Sequence, residues 1–146
     1  MSYFDSAYVA KFYLDEPESA AVRRLAESLG HVRCAVIGRT EVAAVFHRKF
    51  REGAFDARAL REVMAQFDDD CDQGLWTWLP VTAALAARAA TAFARLPRSV
   101  FLRAADALHL ICAQEHGLPE IYTNDRHMSA AARHFRLKPM TVAASR

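Results

Sequence analysis

The sequence predicts an α/β protein in which a mainly parallel sheet of about five strands lies between two layers of helices, a three-layer α/β/α architecture. Short runs rich in β-branched and aromatic residues alternate with longer segments of helical periodicity, and no tight hairpin signal joins neighbouring runs. Parallel strands need helical crossovers of this kind, whereas antiparallel strands can be joined by short turns. With 146 residues, 53% of them apolar, the chain is long enough for one domain, 1–146, with a sizeable core.

The strands are predicted from short apolar segments, most of which end abruptly at a breaking or acidic residue. They cover residues 3–5, 32–37, 75–79, 121–123 and 140–142. Gly38 is predicted to break the second strand, and Pro80 closes the third.

The helices are predicted from periodic apolar positions between capping and stopping residues. They cover 7–12, 20–29, a segment from Gly38 towards Gly53, a segment from Asp56 to near Gly74, 83–96, 102–113 and about 126–135. Ser6, Asp56 and Thr82 can each accept a hydrogen bond from a free N–H group at a helix start. Gly30 and Pro97 are typical of helix ends.

The helix predicted over 102–113 is apolar on nearly every side, which indicates that protein surrounds it. Asp106 nevertheless falls in its middle. An unpaired buried carboxylate is costly, so it normally has a counter-charge, hydrogen bonds or a metal ion as a partner. Asp106 is therefore a candidate functional residue.

Three further acids follow predicted strands. Asp5 ends the first strand, Glu41 falls in the first turn of the helix after the second, and Asp125 follows the fourth. Ligands of open parallel sheets bind beyond the carboxyl ends of the strands, so these acids and Asp106 are expected in one crevice. Four carboxylates repel one another unless some are protonated or a cation joins them. A hard divalent cation, Mg²⁺ or Mn²⁺, is the simplest occupant because it prefers oxygen ligands.

Each acid also has a purely structural interpretation, which the sequence alone leaves open. Asp5 can cap a helix, and Glu41 can complement a helix dipole. Asp106 can pair with Arg103, three residues earlier, and Asp125 can begin the next helix.

The same residues carry a family resemblance. The motifs lie at 3–19, 40–42, 102–110 and 122–126. In this order, over nearly the whole chain, they resemble the PIN-domain family and, within it, the VapC-type toxins of bacterial toxin–antitoxin pairs. The resemblance implies a Mg²⁺- or Mn²⁺-dependent endoribonuclease that hydrolyses RNA, a cognate antitoxin protein that occludes the site, and a homodimer.

The resemblance also implies that Asp5, Glu41, Asp106 and Asp125 form the acidic cluster around the metal. Asp5 and Asp106 are expected to bind it directly, and the other two directly or through water. The family often has a hydroxyl where this chain has Ala7.

Five further residues are expected to support the acids or to contact substrate. Ser6 or Thr123 is expected to supply the hydroxyl that Ala7 lacks. Arg103 and Arg126 are candidates for contacting substrate phosphates or orienting the acids, and Asn124 lies between the hydroxyl and the acid of the fourth motif.

Charge and composition fit an RNA partner. The formal charge is +2, but without the four acids the 19 basic residues face only 13 acidic ones, a balance of +6 that attracts a polyanion. No apolar run reaches the 18 residues of a membrane span, and the first residues do not resemble a signal peptide. We therefore expect a cytoplasmic protein with no membrane partner.

Two other groups of potential ligands are interpreted as structural. The densest acidic run comprises Asp68, Asp69, Asp70 and Asp72. Its neighbours do not face one another on a helix, so a solvated helix end is expected. His109, Cys112 and His116 share one helix face, but no fourth zinc ligand is evident.

Aromatic and cysteine residues are also assigned to packing. Trp76 and Trp78 point to the same face of a strand, and we expect core or dimer packing rather than base stacking. Cys34, Cys71 and Cys112 are an odd number without paired spacing, so no disulfide is expected.

Three other functions are alternatives to the metal-dependent nuclease. An aspartyl-nucleophile phosphatase needs a second acid where Ala7 stands, and a receiver domain needs one after the third strand, where Pro80 stands. The third is a non-catalytic RNA-binding or protein-docking module of the same fold. Retention of all four acids favours the enzyme.

Overall fold

A computed structural model of the protein describes residues 1–143. The last three residues of the predicted domain lie outside this range. The strands are β1 Ser2–Phe4, β2 Val32–Ala35, β3 Trp76–Leu79, β4 Glu120–Tyr122 and β5 Lys138–Met140. The helices are α1 Ser6–Tyr13, α2 Ser19–Leu29, α3 Ile37–Arg51, α4 Ala57–Asp72, α5 Ala83–Phe93, α6 Ala104–Glu115 and α7 Arg126–Ala132, which a 3₁₀ turn, Arg133–Phe135, extends.

The five strands form one sheet in the order β3-β2-β1-β4-β5, and every pairing is parallel. This confirms the predicted α/β fold. Strand β1 is central, with Tyr3 opposite Arg33 of β2 on one side and Ile121 of β4 on the other. The chain adds β2 and β3 on one side of β1 and then β4 and β5 on the other side. The direction of winding therefore reverses beside β1. This reversal is where α/β sheets open a crevice.

Helices cover both faces of the sheet, and adjacent residues of β1 mark the two cores. Tyr3 packs in the core formed with α5, α6 and α7, whereas Phe4 packs in the core formed with α1 to α4. Both side chains are fully buried. Side chains alternate between the faces of a strand, so one short apolar strand supplies both cores.

The predicted break at Gly38 is wrong. Strand β2 ends at Ala35, and Gly38 is the second residue of α3. A Cβ atom at position 38 would collide with Sγ of Cys34. Glycine is therefore needed for close packing of the helix on the strand, not for a turn. Glu41 consequently lies in the second turn of α3 rather than the first.

Several other element boundaries differ from the prediction by one to three residues. Strand β5 lies two residues earlier than expected, with Pro139 on the sheet edge, where a missing N–H group is tolerated. Helix α5 ends at Phe93 rather than at 96. Helix α6 begins at Ala104 rather than at 102, because Arg103 is extended and Leu102 packs into the core from outside the helix.

Several residues assigned to packing or to a helix end contact other parts of the protein. Trp76 and Trp78 pack in the core on the side of α1 to α4. In the acidic run, Asp70 accepts a hydrogen bond of 2.6 Å from the Tyr13 hydroxyl, and Asp68 pairs with Arg39 at 3.3 Å. Asp70 is thus tied to the protein, whereas Asp68, Asp69 and Asp72 are exposed, as expected of a solvated helix end.

All three cysteines are free thiols, as expected. Within residues 1–143, no helix combines the length and the apolar character that crossing a bilayer requires.

Candidate active site

The four predicted acids line one cavity of about 520 Å³. It lies at the carboxyl ends of the central strands, between α1, α3, α6 and α7. Its lining residues are Asp5, Ser6, Ala7, Glu41, Ala44, Val45, Arg48, Arg103, Asp106, Asp125 and Met128. Among residues 1–143, no three Asp, Glu, His or Cys side chains already form a metal-binding group. The acids thus share a cavity without converging on one point.

Asp5 is the most buried of the four acids, with 3% of its surface exposed. It lies directly after β1 and caps α1, where its Oδ1 accepts a hydrogen bond of 2.8 Å from the Tyr8 N–H group. The predicted cap, Ser6, is instead the first residue of the helix and lines the cavity. Burial raises the pKa of the Asp5 carboxyl to about 6, although hydrogen bonds from the Thr123 hydroxyl and the Tyr8 amide oppose the shift.

Thr123 is the hydroxyl that supports Asp5. Its side chain is fully buried, hydrogen-bonds to Asp5, and accepts a hydrogen bond of 3.0 Å from the Asp125 N–H group. One side chain therefore connects two of the acids. Of the two hydroxyls proposed to replace the one missing at Ala7, the contacts favour Thr123 over Ser6.

Asp106 lies in the first turn of α6, not in the middle of the helix. Its Oδ2 atom is buried and has no hydrogen-bond partner in the part of the chain that the structure describes. Burial raises the pKa of this carboxyl, the negative charge of Asp125 raises it further, and the positive charge of Arg103 opposes the shift. No ion pair joins Asp106 to Arg103 within residues 1–143, so the alternative of a simple Arg103 partner lacks support.

Asp125 caps α7. Its Oδ1 accepts hydrogen bonds from the N–H groups of His127, at 2.7 Å, and Met128, at 2.9 Å. The structural interpretation as a helix start is thus fulfilled, as it is for Asp5. Because both bonds use the same oxygen, the cap is compatible with a second role for the carboxylate in the cavity.

Glu41 is held by a buried histidine. Its Oε1 lies 2.6 Å from Nε2 of His109, whose Nδ1 lies 2.6 Å from the Tyr3 hydroxyl. The Tyr3 oxygen accepts a hydrogen bond of 2.9 Å from the Ala35 N–H group. The contacts are all satisfied when Tyr3 donates to Nδ1 and the neutral imidazole donates its Nε2–H to Glu41. His109 is therefore a positioning residue for Glu41.

The sequence does not single out Arg48, which lines the cavity, or His109, which is buried behind Glu41, as functional residues. Arg48 lies on the same face of α3 as Glu41, seven residues later, and lines the cavity. A spacing of seven residues, or two helical turns, predicts from the sequence alone that Arg48 and Glu41 share a helix face. For His109, the sequence could show only a buried position, because its partners Tyr3 and Glu41 are distant along the chain.

The predicted arginines and Asn124 divide into two groups. Arg103 lines the cavity, whereas Arg126 and Asn124 do not. Asn124 accepts a hydrogen bond of 3.2 Å from the Tyr8 hydroxyl. Arg48 and Arg103 are thus the arginines that line the cavity together with the acids.

Fold and cavity together define an α/β domain with an acidic crevice at the switch point of a parallel sheet. The family model of the PIN domain matches residues 2–134. The chain therefore belongs to the PIN-domain family. A comparison with curated protein sequences found no significant match.

Among solved structures, the chain is similar to the crystal structure of Mycobacterium tuberculosis VapC20, described as a sarcin–ricin loop cleaving toxin. The superposition has a TM-score of 0.70 at 19% sequence identity and covers 90% of this chain and 95% of that chain. At this identity the similarity concerns the fold.

Proposed function

We propose that this protein is a Mg²⁺- or Mn²⁺-dependent endoribonuclease of the VapC type and the toxin of a toxin–antitoxin pair. The observation that carries the proposal is the placement of Asp5, Glu41, Asp106 and Asp125 around one cavity of a PIN-family fold. The four sequence motifs support the same function.

The donor set fits a hard divalent cation. All four side chains offer oxygen, and Asp106 has a buried oxygen without a partner. Burial raises the pKa of both Asp5 and Asp106, which indicates negative charge that the protein alone does not compensate. Because Mg²⁺ keeps several water ligands, carboxylates that do not converge on one point can still share it. Asp5 and Asp106 would hold the ion directly, with Glu41 and Asp125 directly or through water.

A divalent cation bound there would lower the pKa of a water molecule and stabilise the leaving oxygen of a phosphodiester. The chain itself supplies position and charge. Thr123 and the Tyr8 amide hold Asp5, and His109 holds Glu41. These contacts fix the acids before substrate arrives, which reduces the reorganisation needed in the transition state.

Arginines at the cavity are suited to the RNA backbone. Arg48 and Arg103 line it, and a guanidinium group can donate two parallel hydrogen bonds to a phosphate. We assign both to phosphate binding beside the acids. The positive balance of the remaining chain favours the approach of a polyanion.

The partners and location follow from the same proposal. A cognate antitoxin protein would occlude the acidic cavity, and two copies of the chain would form a homodimer in the cytoplasm. The support is the sequence resemblance to VapC-type toxins together with a fold similar to that of VapC20.

Cleavage of total RNA tests the proposal. Purified protein is incubated with RNA in Mn²⁺, Mg²⁺ or EDTA, alongside the Asp106→Asn variant. We expect discrete fragments with either metal, and none in EDTA or with the variant. RNA binding without any cleavage by the parent protein would instead favour a non-catalytic RNA-binding module.

A further inference from the structure

A second cavity, of about 460 Å³, lies away from the acidic one. It opens between α5, the C-terminal half of α6 and the 3₁₀ turn after α7. Gln114 of α6 lines it, eight residues after Asp106, which corresponds to about 12 Å along the helix axis. The two cavities thus lie towards opposite ends of α6.

The lining of this cavity combines an apolar floor with a basic rim. Ala92, Leu96, Ile111 and Phe135 form the apolar part. The basic part consists of Arg88, Arg95, His134 and Arg136, the neutral polar part of Thr91 and Gln114, and none of the described residues that line the cavity is acidic. Such a lining suits a ligand that has both an anionic group and a flat apolar group.

Two of these arginines are available to a ligand. Arg88 is paired with Glu115. Arg95 and Arg136 have no hydrogen-bonded or ionic side-chain partner within residues 1–143. Two free guanidinium groups beside one cavity can bind a phosphate with bidentate geometry.

The backbone of Arg136 gives an independent indication. Its φ of 58° lies in the left-handed region, and it is the one described non-glycine residue with a positive φ. The Arg136 N–H group bonds to the Arg133 carbonyl and the Leu137 N–H group to the Ala132 carbonyl, the two bonds of a Schellman motif.

Among the helices within residues 1–143, three others end with the same pair of bonds. Their left-handed residues are Gly53, Gly74 and Gly117. Glycine adopts this conformation without strain, whereas a residue with a Cβ atom does not. An arginine at the equivalent position, facing a cavity, indicates that its side chain has a function there.

We propose that this cavity, which we call the arginine cavity, binds a nucleotide of the RNA strand that extends from the acidic cavity. Arg95 and Arg136 bind its phosphate, and the apolar floor receives its base. The inference rests on the proposed ribonuclease function. RNA is favoured over an acidic peptide because the proposed substrate already brings phosphates to this protein and because guanidinium forks match phosphate geometry.

Arg136→Gly is a sharp test because it removes the guanidinium and relieves the left-handed strain together. We expect its melting temperature to equal or exceed that of the parent. Binding of single-stranded RNA in EDTA, followed by fluorescence anisotropy, should weaken about 3- to 10-fold, with the salt slope reduced by about 1. Arg95→Gln should weaken binding similarly.

Arg61→Gln is the matched control, because Arg61 is an exposed arginine of α4 that lines neither cavity. We expect its RNA affinity to stay within twofold of the parent, about the effect of half a kcal/mol. Cleavage kinetics add a second readout. Arg136→Gly should raise KM for a long RNA at unchanged kcat and leave cleavage of a dinucleotide unaffected, since its single phosphate lies at the acidic cavity and leaves none for Arg136.

The outcomes separate this inference from the proposed function. Normal cleavage of long RNA with unchanged affinity in Arg136→Gly and Arg95→Gln overturns the arginine cavity alone. Absence of cleavage by the parent, with weaker RNA binding by both variants, overturns the nuclease and keeps the cavity. If polyglutamate binds the parent in an Arg136-dependent manner and RNA does not, the cavity is a protein-docking site and the inference is wrong.

Discussion

Replacing Asp5 by asparagine is expected to stabilise the metal-free protein. The carboxyl is 97% buried, and its pKa is raised from 3.8 to about 6. A shift of one pH unit corresponds to about 1.4 kcal/mol, so the charged carboxylate lowers the free energy of unfolding at pH 7 by about 3 kcal/mol. Asparagine is an equally good helix cap and can accept the same hydrogen bond from the Tyr8 amide. Asp5→Asn should therefore gain up to about 3 kcal/mol, or about 6–12 °C in melting temperature.

The gain should depend on pH in a defined window. Because the folded-state pKa of Asp5 lies above its unfolded value, the native state binds more protons between about pH 4 and pH 6. The stability of the parent therefore falls as the pH rises through this window. The difference between parent and variant should be absent below about pH 4 and complete above pH 6. Among the neighbouring groups, the charge of Asp106 raises the pKa of Asp5 further.

Urea unfolding in EDTA at several pH values between 4 and 8 measures this difference. Asp56→Asn is the matched control, since Asp56 caps α4 with the same geometry, accepting a bond of 2.7 Å from the Ala59 N–H group, but is exposed. Its variant should differ little from the parent at any pH. The reasoning is refuted if Asp5→Asn is less stable than the parent at pH 7, or if its effect follows the control across the pH range.

Three further predictions concern packing, metal and positioning. Gly38→Ala should lower the free energy of unfolding by about 1–3 kcal/mol in urea titrations, because the new Cβ collides with Cys34. Adding Cys34→Ala should restore part of this loss. An unchanged stability of the single variant would contradict the proposed close packing. Mn²⁺ at about 100 times its dissociation constant should stabilise the parent by about 2.7 kcal/mol in thermal melts, and an equal shift in Asp106→Asn would contradict the proposed ligand. His109→Ala should reduce the cleavage rate about 10- to 100-fold, because Glu41 loses the group that orients it. The circular dichroism spectrum should be retained. An unchanged cleavage rate would show that this contact is dispensable.

The element types and the parallel sheet were predictable because they depend on local signals. Alternating apolar runs, oxygen-bearing caps such as Asp56 and Thr82, and glycine stops such as Gly30 are readable in short windows. The prediction at Gly38 was wrong because the sequence does not distinguish a glycine that permits close packing from a glycine that ends a strand. Only the position of Cys34 in three dimensions distinguishes the two cases.

For the candidate site, the acids were predictable and their environment was not. Strand ends and motif order singled out the carboxylates, but the contact of Glu41 with His109 joins residues 68 positions apart. The same applies to the Tyr3 hydroxyl, which is 106 positions from His109. Side-chain networks between distant elements depend on the register of the sheet, which a single sequence does not encode locally.

The distribution of acids among the strands explains why the charges meet only in the finished fold. The strands followed by site acids are the three central ones, β2, β1 and β4, whereas the edge strand β3 is followed by Pro80. Asp5 and Glu41 come from the first third of the chain, and Asp106 and Asp125 from the last third. The pairing of β1 with β4 brings the two halves of the cavity together. Repulsion among the acids therefore opposes the pairing of β1 with β4 in particular. On the proposed function, a divalent cation bound among the carboxylates stabilises this same strand pairing.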